Sequence, residues 1–185
     1  MRRPPLTAVA QHAVAEVVGS GDRVVDATVG NGHDTLFLAR QVAPDGRVIG
    51  FDVQPAALDA TLTRLREAGL DGVATLLASG HEHLHDAVPA GWRGDVGAVM
   101  FNLGYLPGGD KTRITQAPTT LAALDQAAAL LRAGGLLSLL VYRGHAGAAD
   151  EAAAVASWVG DQAGRFETRR HDSPGPILYL LRKRA

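Results

Sequence analysis

The sequence of 185 residues contains no cysteine, no long apolar run and no long run of one charge sign. The absence of cysteine excludes disulfides, thiolate catalysis and the common zinc-finger patterns. No apolar stretch is long enough to span a membrane, and no signal-peptide core follows the first residues, so we expect a cytoplasmic protein without membrane contact. Because the formal net charge is −1, any contact with nucleic acid has to come from local basic groups.

The residues that are present suit a single globular domain over residues 1–185, since 46% of them are hydrophobic. Short β-branched runs alternate with stretches of helical periodicity, and two strand-like runs close the chain. This order predicts a mostly parallel seven-stranded α/β sheet with helices on both faces and a C-terminal antiparallel hairpin. The predicted strands cover residues 23–27, 47–52, 73–78, 95–101, 136–142, 165–171 and 177–182, and the main predicted helices cover 7–18, 34–42, 55–68, 119–132 and 148–159.

A glycine turn follows the first predicted strand and has an acid at its start. It runs from Asp26 through Gly30, Asn31 and Gly32 into the next helix. Glycines let the backbone approach a bound molecule closely, and the start of a helix offers N–H groups. Thr35 stands where a dinucleotide fingerprint would place its third glycine, which favours S-adenosylmethionine over NAD. The alternative is that the acids of this turn only cap the helix.

The ends of the second and third predicted strands extend the candidate cofactor site. Asp52 ends the second strand, where a carboxylate can accept both ribose hydroxyl protons, although NAD enzymes also use an acid there. Gly80 and His81 follow the third strand, and we expect them to line the adenine. The alternating histidines of residues 81–86 lack the order of a metallo-hydrolase signature, so we predict no metal site.

The motif Asn102-Leu103-Gly104-Tyr105 follows the fourth predicted strand and predicts an amine as methyl acceptor. The Asn102 side-chain oxygen and the next backbone carbonyl can accept N–H bonds and so aim the nitrogen lone pair at a methyl donor. The Tyr105 ring can stack on a flat base. The alternative is an Asx turn with Tyr105 as a packing residue. Asp110 and His145 are candidate proton acceptors for the amine, and Lys111, Arg113 and Arg143 are candidate contacts to RNA phosphates.

Four motifs, at residues 26–35, 51–54, 101–111 and 142–145, together resemble those of a known protein family. Nearly the whole sequence resembles the bacterial Putative rRNA methylase family, members of which methylate the aminomethyl group of wobble 5-aminomethyl-2-thiouridine in tRNA. The resemblance implies a Rossmann-like class I methyltransferase fold, a homodimer, and the tRNA anticodon region as substrate. It also implies that Asn102 and Tyr105 face the target amine. With the residues given above, it completes the predicted S-adenosylmethionine site as Asp26, Gly30, Asn31, Gly32, Asp34, Thr35, Asp52, Gln54, Gly80, His81 and Asn102.

The chain departs from that family at residues 173–177, where Ser-Pro-Gly-Pro-Ile replaces a turn with asparagine and adjacent prolines. This change could alter substrate fit at the edge of the sheet. The same fold could instead methylate rRNA, a protein amine or a small molecule. A non-catalytic module that binds the cofactor or RNA, and a nicotinamide oxidoreductase, are the remaining alternatives.

Overall fold

The computed structural model describes residues 4–104, 115–144 and 147–185. Its strands are β1 (Arg23–Asp26), β2 (Arg47–Asp52), β3 (Ala74–Ala78), β4 (Val96–Leu103), β5 (Leu131–Val141), β6 (Phe166–Asp172) and β7 (Ile177–Lys183). Its α-helices are α1 (Leu6–Ala15), α2 (His33–Val42), α3 (Pro55–Glu67), α4 (Leu84–Ala87), α5 (Ala117–Leu130) and α6 (Ala148–Asp161). In this part of the chain, no helix has both the length and the apolar character needed to cross a membrane.

The strands form one seven-stranded sheet in the order β3-β2-β1-β4-β5-β7-β6. The first five strands of this order run parallel, β7 is antiparallel to β5, and β6 is antiparallel to β7. The predicted parallel sheet with a C-terminal antiparallel hairpin is therefore present. The chain order reverses between β1 and β4, so the loops that leave these strands diverge to opposite faces and open a crevice at the sheet edge.

The two faces of the sheet carry separate hydrophobic cores because neighbouring residues of a strand point in opposite directions. On one face, Val24 and Met100 pack with α1, α2 and α3. On the other face, Val25 and Phe101 pack with α4, α5 and α6. This arrangement explains why β1 and β4 are almost continuously apolar, since a parallel strand covered on both faces has no solvent side.

Two strands differ from the sequence prediction at their ends. β4 continues to Leu103, so Asn102 lies inside the strand and is held by its ladder, paired with Leu140. β5 begins at Leu131, which pairs with Val96 before the register shifts. The shift is accommodated by Gly134, which has a φ of +75° that favours glycine. The glycines that predicted a break between helix and strand therefore form an irregularity within β5.

Candidate active site

An open cleft of about 680 Å³ lies at the C-terminal edge of the parallel strands. Four of its walls are the places that the sequence predicts for the site: the turn after β1, the end of β2, the segment after β3 and the end of β4. Residues of α1, residues 115–119 and Tyr142 complete the lining. Eight of the predicted cofactor residues line it, namely Gly30, Asn31, Asp34, Asp52, Gln54, Gly80, His81 and Asn102.

Asp26 does not line the cleft, which differs from the role we predicted for it. Its side chain is completely buried beneath the glycine turn. One carboxylate oxygen accepts a hydrogen bond from the Thr28 N–H at 3.2 Å, and the other accepts one from the Thr35 hydroxyl at 2.6 Å. Thr35 is also buried, so the residue at the third-glycine position supports the turn from below. Gly32 likewise lies outside the lining, packed against the side chain of Thr61.

The burial of Asp26 has a clear electrostatic consequence. Burial, with the nearby charge of Asp34, raises the pKa of Asp26 from 3.8 to about 7. The hydrogen bonds from Thr35 and Thr28 oppose this rise because they stabilise the ionised form. Near neutral pH the carboxyl beneath the turn is therefore a mixture of protonated and ionised forms, whereas the other acids of the site lie at the cleft.

Asp52 lies at the end of β2 with its carboxylate in the cleft. Its Oδ2 accepts the Gly30 N–H at 2.8 Å, and its Oδ1 accepts the Gln54 N–H at 2.9 Å. These bonds fix the carboxylate between the glycine turn and the start of α3. Because a carboxylate oxygen can accept more than one hydrogen bond, both oxygens retain capacity for two neighbouring hydroxyls of a ligand.

Asp34 joins three elements at the centre of the cleft. Its Oδ1 accepts a hydrogen bond from Gln11 Nε2 at 2.7 Å, and its Oδ2 accepts one from Asn102 Nδ2 at 2.6 Å. A carboxylate can only accept, so it fixes which end of the Asn102 amide faces it. The Asn102 oxygen is consequently on the side away from Asp34. The backbone N–H of Asn102 donates to the Thr28 hydroxyl at 2.7 Å, which also ties β4 to the glycine turn.

His81 lines the cleft with a largely buried imidazole. The imidazole is 8% exposed, and its Nδ1 lies 3.3 Å from the Ala27 carbonyl oxygen, so Nδ1 carries the proton. Burial lowers the pKa of His81 below its usual value, which keeps the ring neutral. The Nε2 atom, left as an acceptor, has no hydrogen-bond partner among the described residues. The ring packs edge-on against Phe101, with 5.6 Å between the centroids.

The remaining predicted residues are placed less centrally or fall outside the described part of the chain. Arg143 is exposed and does not line the cleft. Its guanidinium donates to the carbonyl oxygens of Gly175 at 2.9 Å and Ser173 at 2.6 Å, in the turn between β6 and β7. This differs from the phosphate contact we predicted, since two of its donor atoms bind that turn. Tyr105, Asp110, Lys111, Arg113 and His145 lie outside the described residues.

Sequence reasoning missed several residues that line the cleft, among them Gln11, Thr28 and Tyr142. Gln11 comes from α1, where a single polar residue in an amphipathic helix gives no signal of a site. Thr28 lies inside the recognised glycine motif but received no role. Tyr142 also lies in a recognised motif and lines the cleft. Among the described residues, no group of three or more histidine, aspartate or glutamate side chains is arranged to hold a metal ion.

Comparisons with known proteins agree with this architecture. The model of the Putative rRNA methylase family matches residues 48–168. A chloroplastic tRNA (mnm(5)s(2)U34)-methyltransferase from Arabidopsis thaliana is 41% identical over 157 residues, which are 80% of this chain and 57% of that protein. The chain thus spans little more than half of that relative's length.

Two solved structures cover the whole fold. A putative rRNA-methylase from Clostridium thermocellum superposes with a TM-score of 0.92 at 35% identity, covering 99% of this chain and 100% of that one. A putative methyltransferase from Streptococcus mutans, solved in complex with SAH, gives a TM-score of 0.86 at 30% identity and covers 99% of both chains. The predicted class I methyltransferase fold and the predicted family are both confirmed, and the chain belongs to the Putative rRNA methylase family.

Proposed function

We propose that the protein is an S-adenosylmethionine-dependent N-methyltransferase that acts on tRNA, at the aminomethyl group of wobble 5-aminomethyl-2-thiouridine. The observation that carries the proposal is the oriented amide of Asn102. Asp34 holds the amide nitrogen, which leaves the amide oxygen available to accept an N–H bond from an amine.

The cleft fits S-adenosylmethionine, which supplies a sulfonium methyl group as the electrophile. Asp52 is placed to accept the two ribose hydroxyls while its backbone bonds keep it fixed. His81 lines the cleft where we expect the adenine, and its buried, neutral ring is held against Phe101. Gly30 and Asn31 line the cleft beside Asp52, on the side where we expect the methionine end.

On the acceptor side, the residues position an amine and do not need to form a covalent intermediate. Asn102 Oδ1 accepts one N–H bond, and the Leu103 carbonyl is a weaker second acceptor because it already accepts the Tyr142 N–H at 3.0 Å. Holding a nucleophile in line with its target supplies much of the rate in such a displacement. An alkylamine must lose a proton before it attacks, and Asp110 and His145 are our candidates for accepting that proton.

The choice of tRNA as substrate is supported by the Arabidopsis relative, which is named for methylation of this wobble nucleoside. We propose the tRNA anticodon region as the partner, with Lys111 and Arg113 as phosphate contacts. The family resemblance also supports a cytoplasmic homodimer. The alternatives of an rRNA acceptor or another amine share the same cofactor half of the cleft.

Nucleoside mass spectrometry of RNA from cells with and without the gene tests the substrate. We expect the methylated wobble nucleoside to disappear from tRNA and its unmethylated amine precursor to accumulate. An unchanged tRNA profile with a change in rRNA would contradict the proposed substrate. Calorimetric titration with S-adenosylhomocysteine and with NAD tests the cofactor, and selective binding of NAD would contradict the methyltransferase assignment.

The role of Asn102 is tested with the chain's only other asparagine as a matched control. Asn102→Ala should lose methylation at saturating cofactor while it still binds S-adenosylhomocysteine. Asn31→Ala should weaken cofactor binding but keep turnover when the cofactor is saturating, because Asn31 lies on the cofactor side of the cleft. Full turnover by Asn102→Ala would show that the amide does not orient the amine.

A further inference from the structure

Two large hydrophobic side chains are exposed in the part of the chain that the structure describes, and both line the cleft. Val53 is 51% exposed and Tyr142 is 39% exposed. Val53 follows β2, whereas Tyr142 follows β5, at the opposite end of the cleft. In the sheet order β2-β1-β4-β5 they are three strand spacings apart, or roughly 14 Å. Exposed apolar groups confined to a cleft indicate surfaces that a ligand covers.

The two ends of the cleft serve different ligands if the proposed function holds. Val53 directly follows Asp52, so it belongs to the half that would hold the nucleoside part of the cofactor. Tyr142 lies beyond Asn102, since β5 is the next strand after β4. The cofactor half lies over β1, β2 and β3, so an apolar surface beyond β4 faces the acceptor.

Tyr142 stands close to the atoms that orient the amine. Its backbone N–H donates to the Leu103 carbonyl at 3.0 Å, so it sits directly beside the end of the strand that carries Asn102. Burial of part of the ring, together with the charge of Asp34, raises the pKa of the Tyr142 phenol above its usual value. The phenol is therefore a neutral ring with a hydrogen-bond donor, and it is not suited to take a proton from the amine.

We propose that Tyr142 is the stacking platform for the base of the acceptor nucleoside and so selects a flat base attached to the amine. This inference rests on the proposed function and adds a second aromatic residue for the base, besides the predicted Tyr105. Unpaired bases in RNA are commonly held on aromatic side chains, because every base has a flat face that can stack. On the neighbouring strands, Leu103 pairs with Val141, so Asn102 and Tyr142 flank this pair. A base stacked on Tyr142 would therefore place its amine substituent toward Asn102.

The local structure holds this platform in place. The next residue, Arg143, donates to the carbonyl oxygens of Ser173 and Gly175 and so fastens the end of β5 to the turn between β6 and β7. Within that turn, the Ser173 hydroxyl donates to the Pro176 carbonyl at 2.7 Å. The turn that departs from the family pattern therefore supports the residue after Tyr142 through backbone carbonyls, and none of residues 173–177 lines the cleft.

The test compares Tyr142→Phe, Tyr142→Leu and Val53→Ala with tRNA isolated from cells that lack the gene. Loss of one base stack corresponds to about 5- to 150-fold in affinity, so Tyr142→Leu should raise KM for tRNA by such a factor. Tyr142→Phe keeps the ring and should keep KM within about 3-fold, since a neutral hydrogen bond contributes little net affinity. Calorimetry should give both variants the wild-type Kd for S-adenosylhomocysteine. Val53→Ala should raise that Kd and leave KM for tRNA unchanged.

The possible results distinguish failure of the stacking platform from failure of the proposed function. Wild-type KM in Tyr142→Leu, with active wild-type enzyme, would overturn the stacking platform and leave the proposed function intact. An increase in KM that Tyr142→Phe shares fully would also overturn it, because the ring would then not be the recognised feature. No methylation of this tRNA by the wild-type protein would overturn both proposals. Thermal unfolding of the variants identifies any loss of fold. If Tyr142→Leu unfolds, a raised KM in Tyr142→Phe would still overturn the stacking platform.

Discussion

Replacing Asp26 by asparagine should stabilise the protein at neutral and alkaline pH, although the change removes a charge next to the candidate active site. Asp26 is fully buried, and its pKa is raised from 3.8 to about 7. Between these two values the folded protein keeps a proton that the unfolded chain has released. The free energy of unfolding therefore falls as the pH rises through this range and levels off above about 7.

The magnitude follows from the size of that shift. Each pKa unit corresponds to about 1.4 kcal/mol, so the shift from 3.8 to about 7 makes ionisation of Asp26 cost on the order of 4 kcal/mol in the folded state. An asparagine can keep both contacts of the carboxylate. Its oxygen can accept the Thr28 N–H, and its amide nitrogen can donate to a rotated Thr35 hydroxyl. The stabilising effect of Asp26→Asn should accordingly be small near pH 4 and approach about 4 kcal/mol at pH 8.

Urea denaturation of wild type and Asp26→Asn between pH 4 and 8 measures this difference, because the titration of groups that do not interact with Asp26 cancels. Asp22 provides a control of opposite sign, since hydrogen bonding to Arg132 lowers its pKa. Asp22→Asn should destabilise the protein at neutral pH, and that cost should shrink as the pH falls through the Asp22 titration. A difference between wild type and Asp26→Asn that does not depend on pH would refute the reasoning.

Three further changes test the geometry of the site. An asparagine at position 34 can accept only one of the two amide donors, Gln11 and Asn102, that Asp34 holds. In Asp34→Asn, kcat at saturating cofactor should therefore fall about 10- to 100-fold as Asn102 loses its orientation. An unchanged kcat would contradict this role. Gly32→Ala should lower the free energy of unfolding, measured in urea, by about 2 kcal/mol or more, because Gly32 has a φ of +76° and a Cβ there would meet the Thr61 side chain. Gly72→Ala is the control, and it should change stability much less because the space around Gly72 is open. Arg143→Lys keeps the charge but not the fork that binds two carbonyls, so hydrogen exchange should speed up in the turn between β6 and β7, and unaltered exchange there would contradict the anchoring role.

Much of the architecture could be predicted because its signals are local. Alternating β-branched runs and helical periodicity predicted the strands, and the late hairpin predicted the antiparallel pair. The sequence prediction is wrong about the ends of β4 and β5, which are set by the pairing of these two strands with each other. Asn102 was predicted to follow β4, but the ladder with β5 continues to Leu103 and includes it. The glycines before residue 136 were predicted to separate a helix from a strand, but Leu131 already pairs with Val96 across the sheet.

The candidate site shows the same division between local and distant information. The acids, glycines and amide of the cleft were recognisable because they follow strands whose C-terminal ends meet at one edge of the sheet. Gln11 was not recognisable, since its partner Asp34 is 23 residues away and belongs to another helix. Arg143 was recognised as a functional residue, but its partners in the turn between β6 and β7 come from a distant part of the chain.

The sequence by itself determined the order of elements, the edge of the sheet that carries the cleft and the residue types gathered there. Periodicity and glycine placement are properties of the chain, so they need no knowledge of its neighbours. Only the tertiary structure decided that Asp26 lies buried beneath the turn while Asp34 faces the cleft. The physical reason is that the backbone reverses through Gly30 and Gly32 at positive φ, and packing then determines which acid lines the cleft and which meets the Thr35 hydroxyl.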